Sequence, residues 1–176
     1  LKGIERSIKL IDTPGILEGG QQGRFREKES VIKASRSDLM IVVVDNDLRE
    51  AEFNIIKSLA TVGKRLILVL NKVDLRGVQE EKQLLSILRG RTKKLIQPED
   101  VISTSASPQT VPQPGSKPLQ PLPEIEELLN RLVRVLYDEG EELLSDNILL
   151  QCRRLGKAGR SILNSQRERL AKKSVH

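Results

Sequence analysis

An α/β fold is what this 176-residue sequence predicts: an open, mostly parallel sheet with helices on both faces, followed by a C-terminal helical extension. Three observations carry that prediction. Two continuous apolar runs, Leu39–Val44 and Leu66–Leu70, have the composition of strands buried on both faces, as in parallel sheets. Stretches of helical spacing alternate with them. Polar clusters stand at 12–15, 71–74 and 104–107, each directly after a predicted strand, where open α/β sheets hold their ligands.

Residues 4–11 partly alternate and then turn apolar, which predicts a first strand ended by Asp12-Thr13-Pro14-Gly15, where Pro14 with Gly15 forces a turn. Gly19, Gly20 and Gly23 predict a mobile loop over 17–24, and a short helix is expected at about 26–36. Leu39–Val44 is the next strand. Ala51, Ile55, Leu59 and Val62 give a helix over 48–62 with Gly63 as its stop. The strand Leu66–Leu70 leads into Asn71-Lys72-Val73-Asp74. Val78, Leu84, Leu85 and Leu88 predict a helix over 78–95, and Val101–Thr104 a short buried strand. Seven of the eight prolines fall between 98 and 123, so 107–123 is expected to be a stiff, polyproline-like loop. An amphipathic helix over 124–150 follows, with acids at Glu124, Glu126 and Glu127 in its first turn and Gly140 as a point of interruption. A polar helical extension is expected to continue to Lys173.

Composition removes several function classes. No apolar run reaches the eighteen or so residues of a membrane span. Phe25, Phe53 and Tyr137 are the only aromatics, too few for a base-stacking platform. One cysteine, Cys152, and one histidine, His176, exclude an internal disulfide, Cys/His zinc sites and Ser-His or Cys-His triads; a single thiol fits a reducing, cytoplasmic compartment. Charge is lopsided. Residues 150–176 hold eight Lys or Arg against Glu168 alone, a net of +7 in a chain whose total is +6, so the body is near neutral. The chain starts at Leu1 and its only methionine is Met40, as expected of a fragment or a processed chain.

The polar clusters carry the chemistry. A carboxylate at Asp12 can hold Mg²⁺ through water, and Gly15 lets its amide approach a γ-phosphate. Read alone, Asp-Thr-Pro-Gly is a common turn. Asn71-Lys72-Val73-Asp74 is the sharper signal. The Asp74 carboxylate can accept from both the ring N–H and the exocyclic amine of guanine, a pair of donors adenine lacks. Asn71 can tie the loop to its neighbours, and the Lys72 stem can lie over the base. The plainer alternative makes Asp74 the N-cap of the next helix. Thr104-Ser105-Ala106 closes the third strand with residues small enough for backbone amides to approach guanine O6.

In this order and spacing the three segments resemble the translation-factor-related GTPases, most closely the Era-like branch, over roughly residues 4–106 and the helix at 124–137. The resemblance implies a P-loop-NTPase-type sheet and the cofactors GTP/GDP and Mg²⁺. It assigns Asp12 and Gly15 to the metal and γ-phosphate, Asn71, Lys72 and Asp74 to guanine, and Ser105 and Ala106 to the closing base loop. It divides the chain into a partial GTPase domain, 1–137, with a Pro-rich insertion at 107–123, and a basic helical extension, 138–176. Insertion and extension together look like Era-like GTPases of photosynthetic bacteria that carry a helical, often membrane-associated domain.

Two departures stand against the pattern. Ile16 occupies the position where Ras-like members have a water-orienting glutamine, which leaves the catalyst unnamed; Gln21 and Gln22 lie nearby. No G-x-x-x-x-G-K-[ST] occurs in these 176 residues, so the sheet is expected to be incomplete at the N-terminus, and the chain alone to be poorly stable and to bind GTP weakly. The alternative function is a degenerate GTPase or scaffold acting through its tail. The plainer reading of residues 150–176 is a solvated helix face; the functional one is contact with an anionic membrane surface or a protein, which would add a peripheral membrane location to a cytoplasmic one. RNA is the weaker choice, because the tail has neither a GXXG loop nor aromatics. Cys152 reads as a packing residue.

Overall fold

The structure, a computed structural model, describes residues 8–13, 36–113, 115 and 117–173. Gly15, Ile16, Gln21, Gln22, the glycine-rich loop and nearly all of the helix expected at 26–36 lie outside the described residues. The chain divides into two compact units, Leu1–Gly140 and Glu141–His176.

In the first unit, three parallel strands form an open sheet in the order β1 (Leu39–Val44), β2 (Arg65–Leu70), β3 (Val101–Ser103). Leu39 pairs with Arg65 and Val44 with Leu70, while Leu68 pairs with Val101 and Leu70 with Ser103. Helices α1 (Glu50–Thr61), α2 (Val78–Thr92) and α3 (Glu126–Asp138) complete the unit. One sheet face, carrying Leu66, Leu68, Leu70, Val44 and Val101, packs on Ile56 and Leu59 of α1 and Leu88 of α2. Side-chain alternation puts Ile67, Val69 and Ile102 on the opposite face, where α3 packs against β3 and buries Val135. Helices therefore cover both faces, and the all-apolar sequence of β2 matches its burial on both sides.

β1 differs from the sequence expectation. It is a strand, but Ile41 and Val43 stand exposed on the α3 side, and among the described residues no strand pairs with its other edge. The expected strand at 4–11 is corrected for its described part: residues 8–11 have no regular structure, and Leu10 is 84% exposed. An apolar run becomes a strand only when a neighbouring ladder takes up its backbone groups, and these residues have none among the described sheet.

Helix boundaries follow local bonding. The Arg49 amide donates to Glu52 Oε2 at 2.7 Å at the start of α1. At its end Gly63 takes a left-handed φ of 78°, and the amides of Gly63 and Lys64 donate to the carbonyls of Ala60 and Leu59, a Schellman stop. α2 ends at Thr92 rather than 95 because the Thr92 carbonyl accepts the amides of Leu95 and Ile96 in a turn. α3 begins two residues later than expected because Glu124 is paired with Ser105, amide to carbonyl in both directions at 2.9 and 3.0 Å. It stops at Asp138 just before Gly140. There the Glu139 carboxylate takes the Arg65 guanidinium at 2.6 Å. The same guanidinium reaches the fully buried Asp100, which also accepts from Arg131 Nε at 2.7 Å.

The Pro-rich segment is folded, not merely stiff. Val111 and Leu119 exchange both amide bonds at 2.8 and 2.9 Å, Gln120 Nε2 donates to the Pro108 carbonyl at 2.7 Å, and Gly115 turns the tip with a φ of 74°. Polyproline helix makes no internal hydrogen bonds. Here the residues between the prolines keep their donors and close a flap.

In the second unit, α4 (Gly140–Lys173) is one long helix. Among the described residues no helix is long and apolar enough to cross a membrane.

Candidate functional site

Three chain segments meet beyond the carboxyl ends of β1, β2 and β3. Parallel pairing brings those ends level, so the residue after each strand lands at the same rim. The Asn71 amide donates to the Val44 carbonyl and the Thr104 amide to the Leu70 carbonyl, both at 2.8 Å, extending the ladders into the loops. Asn71 Oδ1 then accepts from Thr104 Oγ1 and from the Ala106 amide, each at 3.1 Å. One side-chain amide thus joins the β2 loop to the β3 loop.

Asp74 is exposed and gripped on both oxygens. Its Oδ1 accepts the Ser105 hydroxyl at 2.6 Å and its Oδ2 the Gln109 amide at 3.1 Å. Those two donors, the hydroxyl first, hold its carboxyl below the ordinary value of 3.8. Each oxygen keeps a further lone pair that neither donor uses. Asp74 is therefore an ionised acceptor of fixed orientation, open to solvent.

Lys72 has a left-handed backbone, φ 62° and ψ 36°, the only non-glycine with positive φ among the described residues. Such a conformation costs on the order of 1 kcal/mol and persists only where the surroundings enforce it. Arg76 enforces it. Its guanidinium donates through Nη1 to the Lys72 carbonyl at 3.1 Å and through Nη2 to the Asp45 carbonyl. Lys72 Nζ in turn meets Asp45 Oδ2 at 3.0 Å, and that bond is the main cause of an Asp45 carboxyl lowered from its ordinary value.

Asn71, Asp74, Ser105 and Ala106 are thus brought into one hydrogen-bonded cluster, with Lys72 beside it. The Ala106 amide is directed to Asn71, so sharing it with a base carbonyl requires a three-centre bond. Asp12 is exposed, and Gly15 lies outside the described residues. Among the described residues no three His, Cys, Asp or Glu side chains cluster to hold a metal ion. An exposed carboxylate is a group that can hold Mg²⁺ through water, the ion taking its other oxygens from water or phosphates.

Sequence reasoning missed Asp45, Arg76 and Gln109. Asp45 had a usable signal, being the polar residue directly after an apolar parallel strand. Arg76 and the Gln109 amide had none, because one acts on carbonyls and the other through its backbone.

Comparison with known proteins adds an independent line. The family described as "50S ribosome-binding GTPase" matches residues 1–72. Developmentally-regulated G-protein 2 of Arabidopsis thaliana is 38% identical over 63 residues, 35% of this chain and 16% of that protein. The human Developmentally-regulated GTP-binding protein 2 is 36% identical over 61 residues, 34% of this chain and 17% of that protein. The tRNA modification GTPase MnmE of Thermoanaerobacter sp. (strain X514) is 31% identical over 159 residues, 87% of this chain and 28% of that protein. The chain therefore spans less than a third of the length of each of these relatives. No solved structure matches it significantly. These matches support a GTPase family for the chain.

Proposed function

We propose, on the premise of a GTPase family, that this chain supplies the base-recognition part of a GTP-binding switch of the Era-like type, which hydrolyses GTP to GDP. The observation that carries the reading is the Asp74 carboxylate, ionised, exposed and held at both oxygens beside the Asn71–Thr104–Ala106 junction. Guanine offers two adjacent N–H groups to such a carboxylate, while adenine would leave it facing a base without that donor pair. Asn71 holds the two loops together, Lys72 lays its stem along the base, and Ser105 and Ala106 close the pocket rim. In this reading Asp12 and Gly15 serve the phosphate end, and Mg²⁺ there neutralises charge on the transferred phosphoryl group. Isothermal titration with GDP, GTP and ATP tests it. Guanine nucleotides should bind in preference to ATP, and Asp74→Asn should reduce that preference by about tenfold or more. Equal affinities for GTP and ATP would remove the reading.

The second reading concerns α4 by itself. Leu144, Ile148, Leu155 and Ile162 are exposed at spacings of four, seven and seven, on the side of the helix opposite Arg153, Lys157 and Arg160. An apolar stripe backed by a basic face is the make-up of a helix lying on an anionic membrane surface, which would tether the switch peripherally. Co-sedimentation with anionic vesicles, lost without residues 141–176 and unaffected by nuclease, is the expected result; equal binding to neutral vesicles would count against it.

A further inference from the structure

The Pro-rich flap is bonded to the base-reading carboxylate itself. Pro108 is followed by the Gln109 amide, which donates to Asp74 Oδ2 at 3.1 Å, while Ser105 holds the other oxygen at 2.6 Å. The amide is not delivered by a loose loop. Gln120 Nε2 donates to the Pro108 carbonyl at 2.7 Å, the Thr110 hydroxyl donates to Gln120 Oε1, and the Val111–Leu119 pair closes the flap next to them. At its base the flap returns through Glu124, whose backbone is paired with that of Ser105. Both residues that grip Asp74 are therefore anchored in the same folded segment, one at its root and one just inside it.

We infer that the Gln109 amide is a positioning group for base selection, and that the Pro-rich flap acts as the specificity brace of the guanine site. The inference rests on the guanine reading proposed above. A carboxylate with one bonded oxygen can still swing about its terminal torsion, which is broad and soft. Two donors on two oxygens from two directions fix its plane. Only a fixed plane presents both remaining lone pairs to the two guanine N–H groups at once. Prolines on either side restrict the flap backbone, so little conformational freedom has to be lost to hold the amide in place. The residue type at 109 is then irrelevant and its N–H is everything.

The test compares GDP with IDP in the intact protein. Inosine lacks the 2-amino group, so the ratio of the two affinities measures how well Asp74 presents its second oxygen and cancels every phosphate contribution. Gln109→Pro, which removes the N–H donor and also fixes the backbone at 109, should lower the GDP:IDP affinity ratio about tenfold, as expected for one hydrogen bond to a charged group, and Gln109→Ala should retain the wild-type ratio. Gln120→Leu loosens the flap without touching the backbone at 109 and should lower the ratio in the same direction by a smaller factor, about threefold. Without any substitution, the Gln109 amide proton resonance should follow a carboxyl titration that disappears in Asp74→Asn. Wild-type ratios in both Gln109→Pro and Gln120→Leu, in a protein that prefers GDP to ADP, would overturn the brace and leave the guanine reading standing. A wild-type protein that does not prefer GDP to ADP would overturn both.

Discussion

Asp74 and Asp45 sit on either side of the 71–74 turn, and each carboxyl is held below its ordinary value of 3.8, one by the Ser105 hydroxyl and one by Lys72. An unfolded carboxyl at that ordinary value binds more protons than the folded one as the pH falls, so stability rises with pH through this window. The contribution is complete above about pH 5 and drains away as the pH drops through 3.8 toward the lowered native values. Urea midpoints between pH 2 and 6 should show this slope, and Asp74→Asn should flatten it. Arg76 is the second residue-scale test. Its side chain is only 14% exposed, and its fork spans the carbonyls of Lys72 and Asp45. Arg76→Lys keeps the charge but cannot span both acceptors, and should cost about 1–2 kcal/mol in urea unfolding. Nothing in the residue types foretold that fork. Asn71, Lys72 and Asp74 were legible as candidates because their side-chain types suit base recognition; Arg76 and Gln109, which hold this turn, act on or through the backbone.

Among the elements, β2 and its two helical faces were readable because an all-apolar strand has one stable environment, between layers. β1 has the same composition yet leaves Ile41 and Val43 exposed, since composition states what a strand can bury and neighbours decide what it does bury. The ends of α2 and α3 depart from the sequence pattern for a similar reason. Periodicity continues through Leu95 and back to Glu124, but the Thr92 carbonyl and the Ser105 backbone had prior use for those groups. Beside the apolar contact of Val135, a buried charge cluster joins β2, α3 and the turn before β3. Asp100, fully buried, takes Arg65 and Arg131 together. Asp100→Ala would leave two largely buried guanidinium groups short of an acceptor and should destabilise the first unit by about 3 kcal/mol, read as a shift in the urea midpoint.

For the whole molecule, a ligand that binds only the folded state raises its stability in proportion to the logarithm of ligand concentration. GDP at a hundred times its dissociation constant should therefore add about 2.7 kcal/mol and raise the melting temperature, whereas ADP at the same concentration should not. That experiment joins site and fold in one measurement. The sequence by itself determined the alternation of strand and helix, the parallel sheet and the polar residues that follow each strand, because apolar periodicity and side-chain chemistry are local properties of the chain. It also set the amphipathic pattern of α4. Only the tertiary structure decided which polar residues share a rim, that the Pro-rich segment folds back onto Asp74, and that Arg76 and Gln109 bond to the 71–74 turn. Those outcomes depend on backbone donors and acceptors meeting groups from segments about thirty residues away within 3 Å or so, and no local pattern records where a backbone amide will point once the strands have paired.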